Sequence, residues 1–331
     1  MNKPLNPYQT TSTQPDSSET DDSMLIQKWL AAMEDINHVI LGKRRSVALA
    51  MTCLMAQGHL LIEDRPGVGK TTLAQALAAS LGLSMKRIQF TSDLLPGDIL
   101  GTSIYSRQSE GFHFHSGPIF SQVVFADEIN RAMPKTQSAM LQAMEEGYVS
   151  IDGVNHDLKQ PFLVIATQNP REQDGTFPLP ESQLDRFLMR IHLGYPDPEA
   201  EKQLLRGTGR HRLVSAMQPS LNAREITTLQ RHLEKVYISD ALLDYVLALL
   251  HHSRNQPQGI HGLSPRAGLG LVRGARAWAL MHERNHVLPE DVQAVFVSIA
   301  AHRIAPRENH QQAQILAQNL LRQVDVEDPG N

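Results

Sequence analysis

Gly67-Val68-Gly69-Lys70-Thr71-Thr72 follows the apolar run Leu60-Leu61-Ile62 and precedes Leu73, Leu77 and Leu81 at helical spacing. A buried strand, a glycine-rich turn and a helix in that order aim several backbone N–H groups at one point. Gly67 and Gly69 permit backbone angles that a side chain would obstruct. The helix beginning near Lys70 adds the positive end of its dipole. Lys70 is placed to reach the β- and γ-phosphates of a nucleoside triphosphate, and the Thr71 hydroxyl to bind magnesium, with Val68 and Thr72 completing the loop. Asp64 stands where the usual pattern has a further glycine, a position that shapes the turn ahead of the cradle.

Two more stretches supply the chemistry such a loop needs. Asp127-Glu128 ends the apolar run Val123-Val124-Phe125, on a strand expected beside the phosphate loop. Asp127 would hold magnesium through water, and Glu128 would orient or deprotonate the attacking water. Asn169 follows the apolar run Phe162-Leu163-Val164-Ile165-Ala166, where it is placed to position water near the γ-phosphate.

The 331 residues carry a net charge of −4, and their densest basic cluster is Lys43-Arg44-Arg45. That balance argues against broad attraction to nucleic acid or anionic lipid. Cys53 is the single cysteine and sits in the apolar helical run Ala48–Met55, so a buried thiol and a reducing compartment are expected. No N-terminal segment resembles a signal peptide, and no stretch is long enough to span a bilayer. A cytoplasmic location follows as the expectation.

Residues 1–23, rich in Ser, Thr, Gln, Pro and Asp, are expected to form a disordered tail, as are residues 325–331. Residues 24–196 alternate short apolar runs, including Arg87-Ile88-Gln89-Phe90, with amphipathic helices. The expected fold is α/β, a parallel sheet flanked by helices. Residues 197–324 lose the strand pattern. Asp197-Pro198, Ser264-Pro265 and Leu288-Pro289 read as helix starts, which predicts a smaller all-helical domain.

Four further stretches carry a resemblance: Gln89–Asp98, Asp127–Ala132, Leu179–Phe187 and Ser264–Ala267. In this order they resemble the AAA+ ATPases, and more narrowly the MoxR family, over all of the chain except its tails. The resemblance implies a P-loop AAA+ core followed by an all-α lid, with ATP and Mg2+ as ligands. It implies that Asn169 is sensor 1 and that Arg186 is an arginine finger reaching the neighbouring subunit's nucleotide. Arg266 is implied as sensor 2, approaching the γ-phosphate from the lid, and Ile40-Leu41-Gly42 as a segment near the adenine. A finger acting in trans implies a homo-oligomeric ring, most often a hexamer in this family. The family's chaperone-like members, often found beside von Willebrand factor A domain proteins, imply a protein client that ATP hydrolysis remodels or matures. The alternatives are a nucleic-acid motor or chelatase-like subunit, and a nucleotide-gated scaffold without hydrolysis.

Residues 101–118 are expected to form a hairpin, turning at Gln108-Ser109-Glu110-Gly111, with Phe112 and Phe114 on one side and His113 and His115 on the other, and the resemblance implies that it is an insert in the second core helix. It would act either as a substrate or partner contact or as a stabilising flap. The two histidines supply too few ligands for a metal site.

Overall fold

The computed structural model describes residues 17–169, 175–207, 209–256, 261–305 and 310–326. Two helices, α1 (Ser17–Val39) and α2 (Arg44–Met55), precede β1 (Leu60–Glu63) and the helix α3 (Lys70–Ser80). Next come β2 (Met85–Gln89), the short α4 (Pro96–Leu100), the hairpin β3 (Gly101–Ser106) and β4 (Gly111–Ser116), and β5 (Val123–Asp127). Helix α5 (Pro134–Glu146) leads to a second hairpin, β6 (Tyr148–Ile151) and β7 (Val154–Asp157). Then follow β8 (Leu163–Gln168), α6 (Glu181–Leu184) and β9 (Met189–Ile191).

Five strands form one parallel sheet in the order β2-β5-β8-β1-β9. Every residue of β5 is buried, as are the first five of β8. Helices cover both faces of such a sheet, which is why these strands read as unbroken apolar runs. The order corrects one expectation: the strand ending in Asp127 is not beside the phosphate-loop strand. The later strand β8 lies between them and pairs with both, so Asn169 is carried on the strand next to the loop.

Two elements escape the apolar-run reading. β9 is three residues with a buried arginine at its centre, and β6–β7 is largely exposed. The hairpin does carry a local signal: Asp152-Gly153 has positive φ at both positions, +51° and +78°, as a tight primed turn requires. The expected 101–118 hairpin is present, pairing Tyr105 with Phe112 and Ser103 with Phe114.

From Pro198 the described residues are helical apart from one bridge between Tyr237 and His286. The helices are α7 (Pro198–Arg206), α8 (Arg210–Ala216), α9 (Ala223–His232), α10 (Asp240–Arg254), α11 (Pro265–Met281), α12 (Pro289–Ile304) and α13 (His310–Gln323). The three expected starts hold: Asp197 and Ser264 accept from the amides three residues on, and Asp291 reaches back to the Leu288 amide, each with proline in the first turn. One apolar cluster runs from Leu60 and Met189 of the sheet to Leu271 and Ile299 of the helical half, so the two halves share a core. Helix α1 starts at Ser17, inside the stretch expected to be tail, and Asp22 pairs with His232 at 2.7 Å. Residues 1–16 and 327–331 of the two expected tails lie outside the described residues.

Candidate functional site

The loop between β1 and α3 has Gly67 at φ +85° and Gly69 at φ +98°, and a Cβ added at either would enter open space. These are angles that favour glycine, and the emptiness beside them is the cradle. A cleft of about 310 Å³ opens here, lined by Pro66, Gly67, Gly69, Lys70, Thr71, Thr72, Asp127, Glu128 and Asn169. Thus the phosphate loop, the acid pair and Asn169, read from three separate stretches, converge on one space.

Lys70 is buried, and its Nζ donates to the Asp64 carbonyl at 2.5 Å and to Asn169 Oδ1 at 3.2 Å. Burial pulls its pKa down, while Asp64, Asp127 and Glu128 act to keep it charged. Asp64 turns out to do more than shape the turn. Its carboxylate accepts from the amides of Arg65, Leu193 and Gly194 at 2.8, 2.8 and 2.7 Å, fastening the start of the loop to the chain beyond β9.

Glu128 sits at φ +56°, a left-handed conformation unusual for a side chain larger than glycine. Thr167, a residue the sequence reading passes over, holds it there. The Glu128 amide donates to Thr167 Oγ1 at 2.8 Å, and that hydroxyl donates to Asp127 Oδ1 at 2.7 Å. The Glu128 carboxylate accepts from Asn169 Nδ2 at 2.6 Å, Arg131 Nη1 at 2.9 Å and Gln89 Nε2 at 3.3 Å. Arg87 donates to Asp127 Oδ2 at 2.7 Å.

A hydroxyl and one or two carboxylates beside a phosphate cradle form the hard-oxygen set that suits magnesium, whose other ligands are usually phosphate and water. The residues here fit that ion. Thr71 and Asp127 are the ones that would hold it, and the ion would offset phosphate charge. Ile40, Leu41 and Gly42 join α1 to α2 and do not line the cleft. Gly42, at φ +70°, lies against the start of α7, where an added Cβ would meet Ala200 Cβ at 3.0 Å. Lys43 donates to the Tyr195 carbonyl, so the segment adjoins the chain that Asp64 ties to the loop.

Arg186 and Arg266 do not line this cleft either. Both bind one carboxylate: Arg186 Nε donates to Glu145 Oε2 at 2.8 Å and Arg266 Nη1 to Glu145 Oε1 at 2.9 Å. Glu145 lies in the last turn of α5. That turn meets the N-terminal edge of the sheet, since the preceding Met144 carbonyl contacts His59 Nε2 at 3.2 Å and His59 directly precedes β1. Arg186 likewise stands just before β9. The phosphate loop leaves the opposite, C-terminal edge.

Elsewhere, Cys53 is buried and its thiol is pushed up to about 12 by burial. In the 101–118 hairpin, Phe114 stacks on His156 of β7 with centroids 4.1 Å apart, while Phe112 is exposed. Among the described residues no cluster of three or more His, Cys, Asp or Glu could hold a metal. None of their helices is long and apolar enough to cross a membrane.

Comparison with known proteins agrees with this geometry. A profile of the ATPase family associated with various cellular activities (AAA) matches residues 59–189, and an AAA lid profile matches residues 251–323. The chain is 42% identical to the uncharacterized protein YeaC of Bacillus subtilis, over 88% of this chain and 92% of that one. It is 39% identical to chaperone MoxR1 of Mycobacterium tuberculosis, over 82% and 74%. A crystal structure of a candidate ATPase from Cytophaga hutchinsonii superposes with a TM-score of 0.83 at 34% identity, covering 93% of this chain and 98% of that one. With its phosphate loop, acid pair and helical lid in place, the chain belongs to the MoxR family of AAA+ ATPases.

Proposed function

We propose that this protein hydrolyses ATP with magnesium at the interface between neighbouring copies and uses the cycle to remodel or mature a protein client. Lys70 and the loop amides hold the phosphates. Glu128, kept in place by Asn169, orients the attacking water and takes its proton. Thr71 and Asp127 hold the metal, and Ile40-Leu41-Gly42 flank the base.

The observation that carries the interface reading is the separation of the two sets of groups. The phosphate cradle lies at one edge of the parallel sheet, and Arg186 with Arg266 at the other. A four-residue strand such as β1 spans about 13 Å. These arginines are therefore badly placed for their own chain's nucleotide, which supports a role toward a neighbour's. Cations at the γ-phosphoryl oxygens lower the barrier, and a finger of this kind contributes about a thousandfold or more in rate. A ring of copies, sixfold in the family's usual form, closes every such interface.

The chaperone name of the mycobacterial relative supports a protein client, and a von Willebrand factor A domain protein is the proposed class. The net charge of −4 gives no support to a nucleic-acid motor. The ordered Glu128–Asn169 contact argues against a non-hydrolysing scaffold.

Mixing separates the two roles. Arg186→Ala and Lys70→Ala proteins should each be inactive in ATP hydrolysis, and mixed assemblies should recover part of the activity, because one supplies the cradle and the other the finger. Mixed assemblies that form yet stay inactive would remove the interface reading.

A further inference from the structure

We propose that Glu145 is a positioning residue that sets Arg186 and Arg266 as a pair toward the neighbouring copy's nucleotide. The proposal rests on the interface reading above and adds to it the group that aims the cations.

The two arginines come from distant places, one from the loop between α6 and β9 and the other from the first turn of α11. A single carboxylate brings them together, giving one oxygen to each at 2.8 and 2.9 Å. Two cations on one anion leave a net positive charge, so Glu145 joins the pair without cancelling it. The atoms used matter as much. Glu145 takes Arg186 through Nε, leaving its two terminal nitrogens unused by this contact, and those two can together grip a phosphate end-on. It takes Arg266 through one terminal nitrogen only. A restraint meant to silence the finger would occupy the phosphate-binding end.

Both backbones are already fixed, so side-chain direction is what remains to be set. Arg303 of α12, itself buried, donates to Asp185 Oδ1 at 2.7 Å and to the carbonyls of Asp185, Phe187 and Leu188 at 3.0, 2.7 and 3.1 Å. The helical half thereby holds the main chain on both sides of Arg186. On the other side, His59 holds the Met144 carbonyl, and α5 ends at Gly147 in a left-handed cap whose amide bonds to Ala143 O at 3.0 Å.

Arg266 follows Pro265 in the first turn of its helix, where the dipole disfavours a cation. An anion is needed there, and Glu145 supplies it within the chain. Burial acts to raise the Glu145 carboxyl, but the Arg266 hydrogen bond and the charges of Arg266 and Arg186 outweigh it and hold the group ionised. The side chains of Arg186, Glu145 and Arg266 are 24%, 40% and 46% exposed, which leaves them reachable by a neighbour. Ion pairs that exposed add little to stability.

The test compares steady-state MgATP hydrolysis by Glu145→Ala, Glu145→Gln, Arg186→Ala and the Glu145→Ala/Arg186→Ala double variant, with assembly checked by size-exclusion chromatography and folding by thermal melts. Both Glu145 variants should lose kcat by about tenfold or more, as small misplacements of catalytic groups do. KM and ATP affinity should be unchanged, because the chain's own cradle lies at the far edge of the sheet. The Glu145→Ala change should cost less in the Arg186→Ala background than in the wild type, because only Arg266 is then left to misplace, whereas a general structural defect would cost the same in both. Wild-type kcat in both Glu145 variants beside an impaired Arg186→Ala overturns this inference and leaves the interface reading standing. A raised kcat makes Glu145 a restraint, and loss of assembly or of the melt makes it a structural contact; either overturns the inference. Full activity in Arg186→Ala overturns the interface reading beneath it.

Discussion

Asn169 Nδ2 donates to Glu128 Oε1 at 2.6 Å, joining the end of β8 to the acid that follows β5. The same Asn169 accepts from Lys70 Nζ through its other side-chain atom. One amide thus spans Lys70 and Glu128. Glu128→Gln should keep ATP affinity within about twofold and cut turnover by about a hundredfold or more, since the proton acceptor is lost. Asn169→Ala should give a smaller fall in turnover. Nucleotide titration beside single-turnover hydrolysis checks both, and a Glu128→Gln protein that hydrolyses normally would remove Glu128 from the reaction.

Lys70→Ala should weaken nucleotide binding itself. A charge-assisted hydrogen bond contributes about 1.5–3 kcal/mol, which corresponds to roughly ten- to a hundredfold in affinity. Equilibrium binding of a fluorescent ATP analogue measures the change, and unaltered affinity would contradict the cradle.

Thr167 is the least expected member of the site. Thr167→Val keeps the branched shape but leaves the Glu128 amide and one Asp127 oxygen without their shared partner. Groups left so in a buried place cost about 1–3 kcal/mol, and the left-handed turn at Glu128 should relax. Urea denaturation should show the loss, and turnover should fall even where the variant is fully folded. A variant with normal stability and turnover would reduce Thr167 to packing.

His59 gives a pH signature. The Val164 amide donates to its Nδ1 at 3.1 Å, so Nε2 carries the proton and donates to the Met144 carbonyl. Desolvation, reinforced by the charges of Arg266 and Arg273, brings its pKa down from 6.5 to about 4. Above pH 6.5 the ring is neutral folded or unfolded. Between pH 6.5 and 4 the unfolded chain takes up a proton that the folded chain refuses, so stability falls as pH falls, by at most about 1.4 kcal/mol per pH unit. Urea midpoints for wild type and His59→Gln at pH 7.5, 6 and 4.5 should converge toward low pH. Parallel lines would show that His59 does not titrate in this window.

Much of the site was legible because its signals are local. Glycines at the cradle, a lysine after them and acids at a strand end each follow from the backbone or the phosphate they serve. The ties made by Asp64 beyond its own turn, and the bridge made by Thr167, are not legible for the opposite reason. Asp64 is fastened to Leu193 and Gly194, and Thr167 bridges an amide and a carboxylate on another strand; no spacing along the chain announces either. β9 was missed because its three residues are too few to show a pattern.

Local sequence determined that a strand, a glycine turn and a helix would make a phosphate cradle, and that the second half would be helical, because turn angles, caps and apolar periodicity act over a few residues. Only the tertiary structure decided that β8 stands between the cradle strand and the acid strand, and that Arg186 and Arg266 share Glu145 at the far edge of the sheet. Those facts depend on which surfaces bury one another across 41 to 121 residues of chain, and contacts at that distance are set by packing of the whole core.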